Sequence, residues 1–429
     1  MSTEEEVIKR KHNLKLYPFY EMFAYDLLFF YAIKIIFLNE VKGLSASQIV
    51  FGSAIYSIVA IIAQIPITVL VYRFGKRKMM IVGDLLVVIS CILLFVVNNM
   101  PIFIIYEIFF SIGQGMKKIT ESNLLSLSIP KSKFQNEIFI RVDKKGYGRY
   151  FVLSAISSII AGYLYKVNPY IPIVCTLIIS ILVFIVSFGF YDFEKITNNK
   201  FQKEEKKYIK DLKSTMSFVL NSKRLRALFL YSSIIWGIVV LITNYELTLM
   251  QKIGASATLL GYAYALFELV VGVGSKLALK YNEVFRKHSL FLLLVFYGSL
   301  CAIIGLIAST AINMYLRLGI VIILLCMLAL LIGIAQIISR KYLNSFANNK
   351  VLASIYSVEF MINNIFSMII TFLGSLLLLR VNIIYAFIVL GGTILFVAFV
   401  ISAYAKDKLG LRPEEYTDKD IFEKNDFIF

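Results

Sequence analysis

Four acidic residues interrupt the apolar runs of this 429-residue sequence, and their side chains could carry protons. Asp26, Glu107, Glu268 and Glu359 each lie in a stretch dominated by Leu, Ile, Val and Phe. A charge in the apolar centre of a membrane costs about 3 kcal/mol or more, so such residues usually face a cavity or a partner. A carboxylate in an apolar cavity can take up and release a proton near neutral pH. We therefore expect proton chemistry at these four positions, and at Asp26 first.

A second group of charges, Lys117, Lys118 and Glu121, lies together in one apolar run. Lys117 and Glu121 are four residues apart and share one face of a helix, where opposite charges can neutralise each other. The three residues are candidates for the wall of a charged cavity. A structural pairing of Lys117 with Glu121 explains the pattern equally well, and Glu268 and Glu359 could instead form structural pairs at the interface between the two halves of the chain.

Three uncharged residues are candidates for contact with a substrate. Trp236 is the only tryptophan, and Asn363 and Asn364 lie in an apolar run where their amides need hydrogen-bond partners. Both amides could instead bond a neighbouring helix. The two histidines, His12 and His288, fall outside the apolar runs, and the four cysteines are far apart in sequence. We therefore expect no cofactor, no metal site and no enzymatic activity.

The elements that hold these residues are predicted to be membrane-spanning helices. Hydrophobic residues make up 59% of the chain and charged residues 17%, with a mean hydropathy of +0.79. The apolar runs are about 20 residues long, the length that crosses a bilayer as a helix. We place twelve spans at residues 17–38, 46–71, 79–98, 101–128, 149–167, 170–191, 226–249, 257–279, 288–309, 313–338, 351–379 and 382–404.

The loop charges predict the orientation of the chain. Lys and Arg concentrate in alternate loops, while the intervening loops carry almost none. This asymmetry places both termini on the cytoplasmic side of a cell membrane. The net charge of +17 then largely faces anionic membrane lipid, and no basic stripe suggests a nucleic acid partner.

The chain divides into two predicted halves. We expect a cytoplasmic tail at 1–16, a six-helix bundle at 17–191, a central loop at 192–225, a second six-helix bundle at 226–404 and a cytoplasmic tail at 405–429. A repeat supports the two halves, because "GLSASQIV" at 43–50 resembles "GASATLLG" at 254–261 with an offset of 211 residues. Parallel repeats of this kind are familiar in secondary transporters.

The central loop contains one further helical pattern. Tyr208, Leu212, Met216 and Val219 recur at helical spacing beside several lysines. The pattern fits a basic amphipathic helix on the inner membrane surface, and it fits a solvated helical linker equally well.

The turn between the second and third spans resembles a signature of the major facilitator superfamily. That signature reads Gly-x-x-x-Asp-Arg-x-Gly-Arg-Lys, and residues 68–77 read "TVLVYRFGKR". Arg73, Gly75, Lys76 and Arg77 match, whereas Thr68 replaces the glycine and Tyr72 replaces the acid. In the family this turn helps to latch the two halves on the cytoplasmic side. The missing acid implies that any latch here differs, and the basic residues also serve as topology signals.

The resemblance covers the whole chain and implies a function. Twelve spans in two pseudo-symmetric six-helix bundles imply a secondary active transporter that works by alternating access. The segment from residue 113 to 166 looks like a poorly characterised bacterial branch whose members are regarded as exporters. We expect proton-coupled export of a small amphiphilic compound by a monomer, with proton-coupled uptake of a small solute as the alternative. A membrane sensor or scaffold that transports nothing is a third possibility.

Overall fold

The computed structural model describes residues 3–130, 135–193, 210, 212–346, 352–406 and 408, and over this part of the chain it is helical without strands. The helices are α1 (Thr3–Ala24), α2 (Lys34–Ile36), α3 (Ala46–Phe74), α4 (Lys76–Val96), α5 (Met100–Ser128), α6 (Gln135–Val167), α7 (Ile171–Ser187), α8 (212–221), α9 (Lys223–Ile253), α10 (Ala257–Phe285), α11 (Ser289–Ser309), α12 (Met314–Phe346), α13 (Leu352–Arg380) and α14 (Ile383–Ala405). A π-helical turn, Phe37–Val41, follows α2, and a 3-10 turn, Arg286–His288, follows α10.

Nine helices within the described residues are long and apolar enough to cross a membrane: α3, α4, α6 and α9 to α14. Helix α7 is apolar but has only 17 residues. Helix α5 has 29 residues but includes two lysines and two glutamates, which lower its hydropathy. The predicted count of twelve spans therefore stays a prediction.

The first predicted span, 17–38, is not one continuous helix. Helix α1 ends at Ala24, residues 25–33 form turns, and helical structure resumes at Lys34. Phe29 has φ +66°, a left-handed conformation that a residue with a side chain adopts only under constraint from its surroundings. None of residues 25–33 is fully exposed, as expected for irregular backbone among apolar helices.

The predicted N-terminal tail, 1–16, is mostly part of α1, which already begins at Thr3. Asn13 fixes this part of the helix, because its side-chain amide donates 2.9 Å bonds to the Ser128 hydroxyl and to the Tyr191 carbonyl oxygen. In return the Tyr191 amide donates a 3.0 Å bond to the Asn13 side-chain oxygen. An apolar cluster that includes Tyr17, Tyr20 and Phe190 continues the contact.

Two of the predicted segments lie largely outside the described residues. In the central loop, residues 194–209 and 211 are outside, and 212–221 form α8. The predicted amphipathic helix is thus described only from Leu212 onward, without Tyr208. The predicted C-terminal tail is outside except for residues 405, 406 and 408.

The chain divides into two compact units, Met1–Lys207 with Ser256–Ala265, and Tyr208–Ala255 with Leu266–Phe429. Helices α3 and α10 both have 29 residues, and they begin 211 residues apart. This spacing agrees with the offset of the sequence repeat.

Each unit contains a close helix crossing that depends on two glycines. A Cβ atom on Gly83 of α4 would lie 3.0 Å from the Gly113 carbonyl oxygen of α5. In the other unit, a Cβ atom on Gly298 of α11 would lie 3.0 Å from the Gly391 carbonyl oxygen of α14. Small residues let helix backbones approach closely where lipid provides no hydrophobic driving force.

Candidate functional site

A buried ion pair lies beside the interruption after α1. The Asp84 carboxylate on α4 is 1% exposed, and the Lys117 ammonium on α5 lies 3.9 Å from it. The Tyr20 hydroxyl on α1 is 3.1 Å from each Asp84 carboxylate oxygen. A buried charge is tolerated when it is paired and hydrogen-bonded, so these contacts explain how a carboxylate can lie inside this helix bundle.

Side chains of two other helices replace the helical hydrogen bonds that end at Ala24. Lys117 also donates a hydrogen bond to the Ala24 carbonyl oxygen. The Thr176 hydroxyl on α7 donates a 2.8 Å bond to the Leu28 carbonyl oxygen. Among apolar helices an unpaired carbonyl would cost several kcal/mol. Lys117 and Thr176 therefore stabilise the irregular segment 25–33.

Asp26 lies in this irregular segment and is half-buried. Its carboxylate accepts a 3.0 Å bond from the Leu27 amide and a bond from the Tyr31 hydroxyl. Asp26 and Asp84 line a common cavity together with Lys117 and Thr176. The cavity has room for about one water molecule. The cavity fits a water molecule or a proton, and it is too small for an organic solute.

Glu107 belongs to a different pair from the one around Asp84. It is 3% exposed, and one of its carboxylate oxygens lies 4.0 Å from the Lys34 ammonium. Gly52 of α3 leaves room for this carboxylate, because a Cβ atom there would lie 3.1 Å from Glu107 Oε1. That oxygen has no hydrogen-bond partner in the structure.

The remaining predicted residues of α5 are divided between the interior and an accessible surface. Glu121 is 8% exposed, and one of its carboxylate oxygens has no hydrogen-bond partner. Glu21 on α1 has the same properties at 4% exposure. Lys118 is exposed. The Lys117 ammonium lies 3.9 Å from Asp84, and it also interacts electrostatically with Glu121, the partner suggested by their spacing.

In the second unit, two predicted residues of α13 bond two adjacent serines of α9. The Ser232 hydroxyl donates a 3.1 Å bond to Glu359, and the Ser233 hydroxyl donates a 2.8 Å bond to the Asn363 side-chain oxygen. Glu359 and Asn363 are one helical turn apart, so the contacts form a short polar ladder between α9 and α13. The Asn363 bond crosses between helices, and the Glu359 bond lies within one unit.

The other predicted residues of the second unit do not join this ladder. Asn364 donates its 2.8 Å bond to the Phe360 carbonyl oxygen of its own helix. The Trp236 side chain is 39% exposed. Glu268 interacts electrostatically with Glu246 of α9, a carboxylate that is 5% exposed.

The basic turn between α3 and α4 contacts the end of α7. Gly75 ends one helix and begins the next with φ +93°, a conformation that favours glycine. The Arg77 guanidinium donates a 2.7 Å bond to the Phe188 carbonyl oxygen, and the Arg77 amide is 3.4 Å from an Asp192 carboxylate oxygen. The family signature has an acid where this chain has Tyr72. Here the acidic side chain beside the turn is Asp192, which lies next to Arg77. Lys76 is 8% exposed, and Arg73 is exposed.

The structure brings Asp26 and Lys117 to one cavity but places Glu107, Glu268 and Glu359 elsewhere. Asp84 was not predicted as a member of this site. Its signal was present, because Asp84 is the only charged residue in the run "IVGDLLVVIS" at 81–90. Within the described residues, no three His, Cys, Asp or Glu side chains are grouped so that they could hold a metal ion.

The chain is similar in sequence or fold to known membrane transporters. A family model described as Major Facilitator Superfamily matches residues 20–370. The structure is similar to a POT family transporter in complex with 5-aminolevulinic acid, with 16% identity, a TM-score of 0.65 and coverage of 93% of this chain and 95% of that chain. For the nucleoside transporter NupG, the identity is 10%, the TM-score 0.63 and the coverage 95% and 100%. A peptide transporter POT in complex with sulfate has 16% identity and a TM-score of 0.64, over 93% and 94%. No curated protein matches the chain.

Proposed function

Because the chain belongs to the major facilitator superfamily, we propose that it is a secondary active transporter that exports a small amphiphilic compound in exchange for protons. The chain is an all-α integral membrane protein, and the family expected from the turn at 68–77 is confirmed. Peptide and nucleoside transporters share the fold at 16% identity or less, which leaves the solute of this chain to be identified from its own residues.

The observation that carries the proton coupling is the pair of carboxylates at one small cavity. Asp26 is half-buried, whereas Asp84 is fully buried and already neutralised by Lys117. Asp26 has no lysine or arginine within ion-pair distance among the described residues, so a proton is the available means to neutralise it. Neutralisation lowers the cost of moving this group through an apolar environment. Asp26 is therefore the proposed proton carrier.

The proposed cycle is alternating access by two six-helix bundles in a cell membrane, with both termini cytoplasmic. Protonation of Asp26 from outside favours one conformation, and release of the proton inside favours the other. A ligand shifts such an equilibrium only by its differential affinity for the two conformations. The substrate and the proton must therefore bind the two conformations with different affinities. Glu107, Glu268 and Glu359 remain secondary candidates for this role.

Proton-coupled uptake is the second candidate, because the same carboxylate can serve an importer. Everted membrane vesicles distinguish the two. We expect an inside-acid pH gradient in everted vesicles to drive accumulation of a test amphiphile, and collapse of the gradient by a protonophore to prevent it. The same accumulation in right-side-out vesicles with an inward proton gradient would support uptake. No gradient-driven movement in either preparation would refute proton coupling.

Asp26→Asn tests the assigned carrier. We expect normal amounts of protein in the membrane and loss of gradient-driven transport, because Asn keeps the size of the side chain but cannot take up the proton. Glu283→Gln is the matched control, since this carboxylate is exposed near the end of α10 and belongs to none of the proposed sites. Unchanged transport by the Asp26→Asn protein would remove Asp26 from the mechanism.

A further inference from the structure

The small cavity beside the interruption after α1 is lined by two acids and one base. Among the described residues, the charged side chains in its lining are those of Asp26, Asp84 and Lys117. Two carboxylates and one ammonium together carry one negative charge in excess, and one added proton makes the three groups neutral. Burial disfavours a net charge, so these three groups bind one proton as a unit.

The same cavity has the size and the polar lining of a site for one water molecule. A buried water needs room for about one molecule and two to four polar partners, and the cavity provides both. The Thr176 and Ser180 hydroxyls line it together with the two carboxylates. Because both carboxylates border a space of this size, one water can form hydrogen bonds with Asp26 and with Asp84 at the same time.

The two carboxylates differ in their access to solvent. Asp26 is half-buried, whereas Asp84 is 1% exposed and is bonded at 3.1 Å by the Tyr20 hydroxyl. Asp26 is therefore the side of the cavity that a proton from solvent reaches first. Asp84 is the acceptor on the interior side.

We propose that Asp84 is a second proton-binding residue that exchanges a proton with Asp26 through one water molecule, while Lys117 pairs with whichever carboxylate has no proton. The Asp26 carboxyl donates its proton to the water, and the water donates one of its own protons to the Asp84 carboxylate. The water is regenerated, and the three charged groups stay neutral in sum. The second proton site rests on the proposed transport function and defines its proton path.

The change of partner acts on the interrupted helix. Lys117 also donates a hydrogen bond to the Ala24 carbonyl oxygen, two residues before Asp26. With the proton on Asp26, Lys117 links α5 to Asp84 of α4 and to the end of α1. With the proton on Asp84, both partners of Lys117 belong to α1 and the segment that follows it. The position of the proton thus decides whether Lys117 holds α4.

Other titratable groups interact electrostatically with these three residues but do not line the cavity. Around Asp84 and Lys117 they are Tyr20 and Glu21 of α1, Cys91 of α4 and Glu121 of α5. Around Asp26 they are Tyr25 and Tyr31 of its own part of the chain, Tyr56 of α3, and Tyr106 and Lys118 of α5. These groups influence the pH at which the proton binds, and they stand outside the path through the water.

Infrared difference spectroscopy of the purified full-length protein tests the shared proton without a transported solute. The difference between spectra at acidic and alkaline pH contains a C=O stretching band for each carboxyl that takes up a proton. In Asp84→Asn, Lys117 has only Asp26 as a partner, so the band that Asp26→Asn removes should lose intensity. Glu283→Gln, at the exposed acid near the end of α10, should leave that band unchanged.

A double variant keeps this test valid if Asp84→Asn alone is poorly folded. Asp84→Asn combined with Lys117→Met removes both buried charges, so Asp26 no longer has a lysine partner in the cavity and its band should regain intensity. An Asp26 band that is the same in the wild type, in Asp84→Asn and in the double variant would overturn the proposal, because independent sites give additive effects.

Ser180 variants test the water. Ser180→Val adds volume at the cavity and keeps both acids, whereas Ser180→Ala adds none. After a pH jump, the Asp84 band should form about tenfold more slowly in Ser180→Val than in Ser180→Ala, because a side chain in place of the water cannot reproduce its hydrogen bonds. Equal rates in the two variants would refute the path through a water.

The vesicle assay separates this inference from the transport function. We expect the double variant to lose gradient-driven movement of the test amphiphile, because the second proton site is missing. Movement that persists in the double variant but not in Asp26→Asn would refute the role of Asp84 and leave Asp26 as the carrier. Coupled infrared bands without gradient-driven movement by the wild type would refute proton-coupled transport and leave the shared proton site intact.

Discussion

Lys117→Met removes the cation from the Asp84 carboxylate, which is 1% exposed. At the observed separation of 3.9 Å, and with an effective dielectric constant of about 20, the attraction between the two unit charges is about 4 kcal/mol. Loss of one partner from a buried ion pair typically costs 3–5 kcal/mol. Methionine nearly keeps the length of the lysine side chain, so the change removes the charge together with the hydrogen bond to the Ala24 carbonyl oxygen.

The measurement is thermal unfolding of the purified protein in detergent. A loss of about 4 kcal/mol in a chain of this length corresponds to a fall in melting temperature of about 4 °C. Lys118→Met is a matched control on the adjacent residue, because Lys118 is exposed and has no ion-pair partner within the described residues. It should change the melting temperature by less than about 1 °C, because surface substitutions typically have small effects.

A double-mutant cycle isolates the pair. Asp84→Asn combined with Lys117→Met leaves no buried charge at this position, so the double variant should be more stable than Lys117→Met alone. Additive effects of the two substitutions would refute the assigned interaction. So would equal melting temperatures for Lys117→Met and Lys118→Met.

Three further predictions concern contacts that position the site. Thr176→Val keeps the side-chain shape but removes the 2.8 Å bond to the Leu28 carbonyl oxygen. We expect the free energy of unfolding, measured by thermal unfolding, to fall by about 1 kcal/mol. Thr393→Val should have no effect, because the exposed Thr393 hydroxyl bonds only its own helix. Gly83→Val should lower expression and melting temperature strongly, because its Cβ would overlap α5, while Gly392→Ala, with open space around it, should be tolerated; equal stability of the two would contradict the close crossing. Asp192→Asn should increase protease cleavage near residue 192 if the acid fixes the turn through Arg77, and an unchanged digestion pattern would show that the acid has no such role.

The sequence predicted the family and the long helices, because the turn at 68–77 and the apolar runs are local signals. The interruption after α1 was not predicted. Residues 25–33 are as apolar as a helix would be, and the cause of the interruption lies elsewhere, in Lys117 and Thr176, which bond its carbonyl oxygens. Asp84 was missed for a related reason, since its partners are 64 and 33 residues away on other helices. Partners at such separations leave no trace in local spacing.

Asp26 and Lys117 stay predicted site residues, and the ion pair of Lys117 with Asp84 was not expected from the sequence. The i,i+4 spacing favours Glu121 for Lys117, and only the approach of α4 to α5 through the paired glycines brings Asp84 closer. The contact between Arg77 and Asp192 could not be predicted for the same reason, because the two residues are 115 positions apart in sequence.

The segment after α1 also has a consequence for how this chain can diverge. Lys117 and Thr176 bind carbonyl oxygens of Ala24 and Leu28, and every residue type carries that oxygen. Positions 24 and 28 can therefore drift among small and apolar residues, while positions 117 and 176 must keep a donor. In relatives that share this interrupted helix, invariance should fall on α5 and α7, and the interrupted segment itself should vary in sequence.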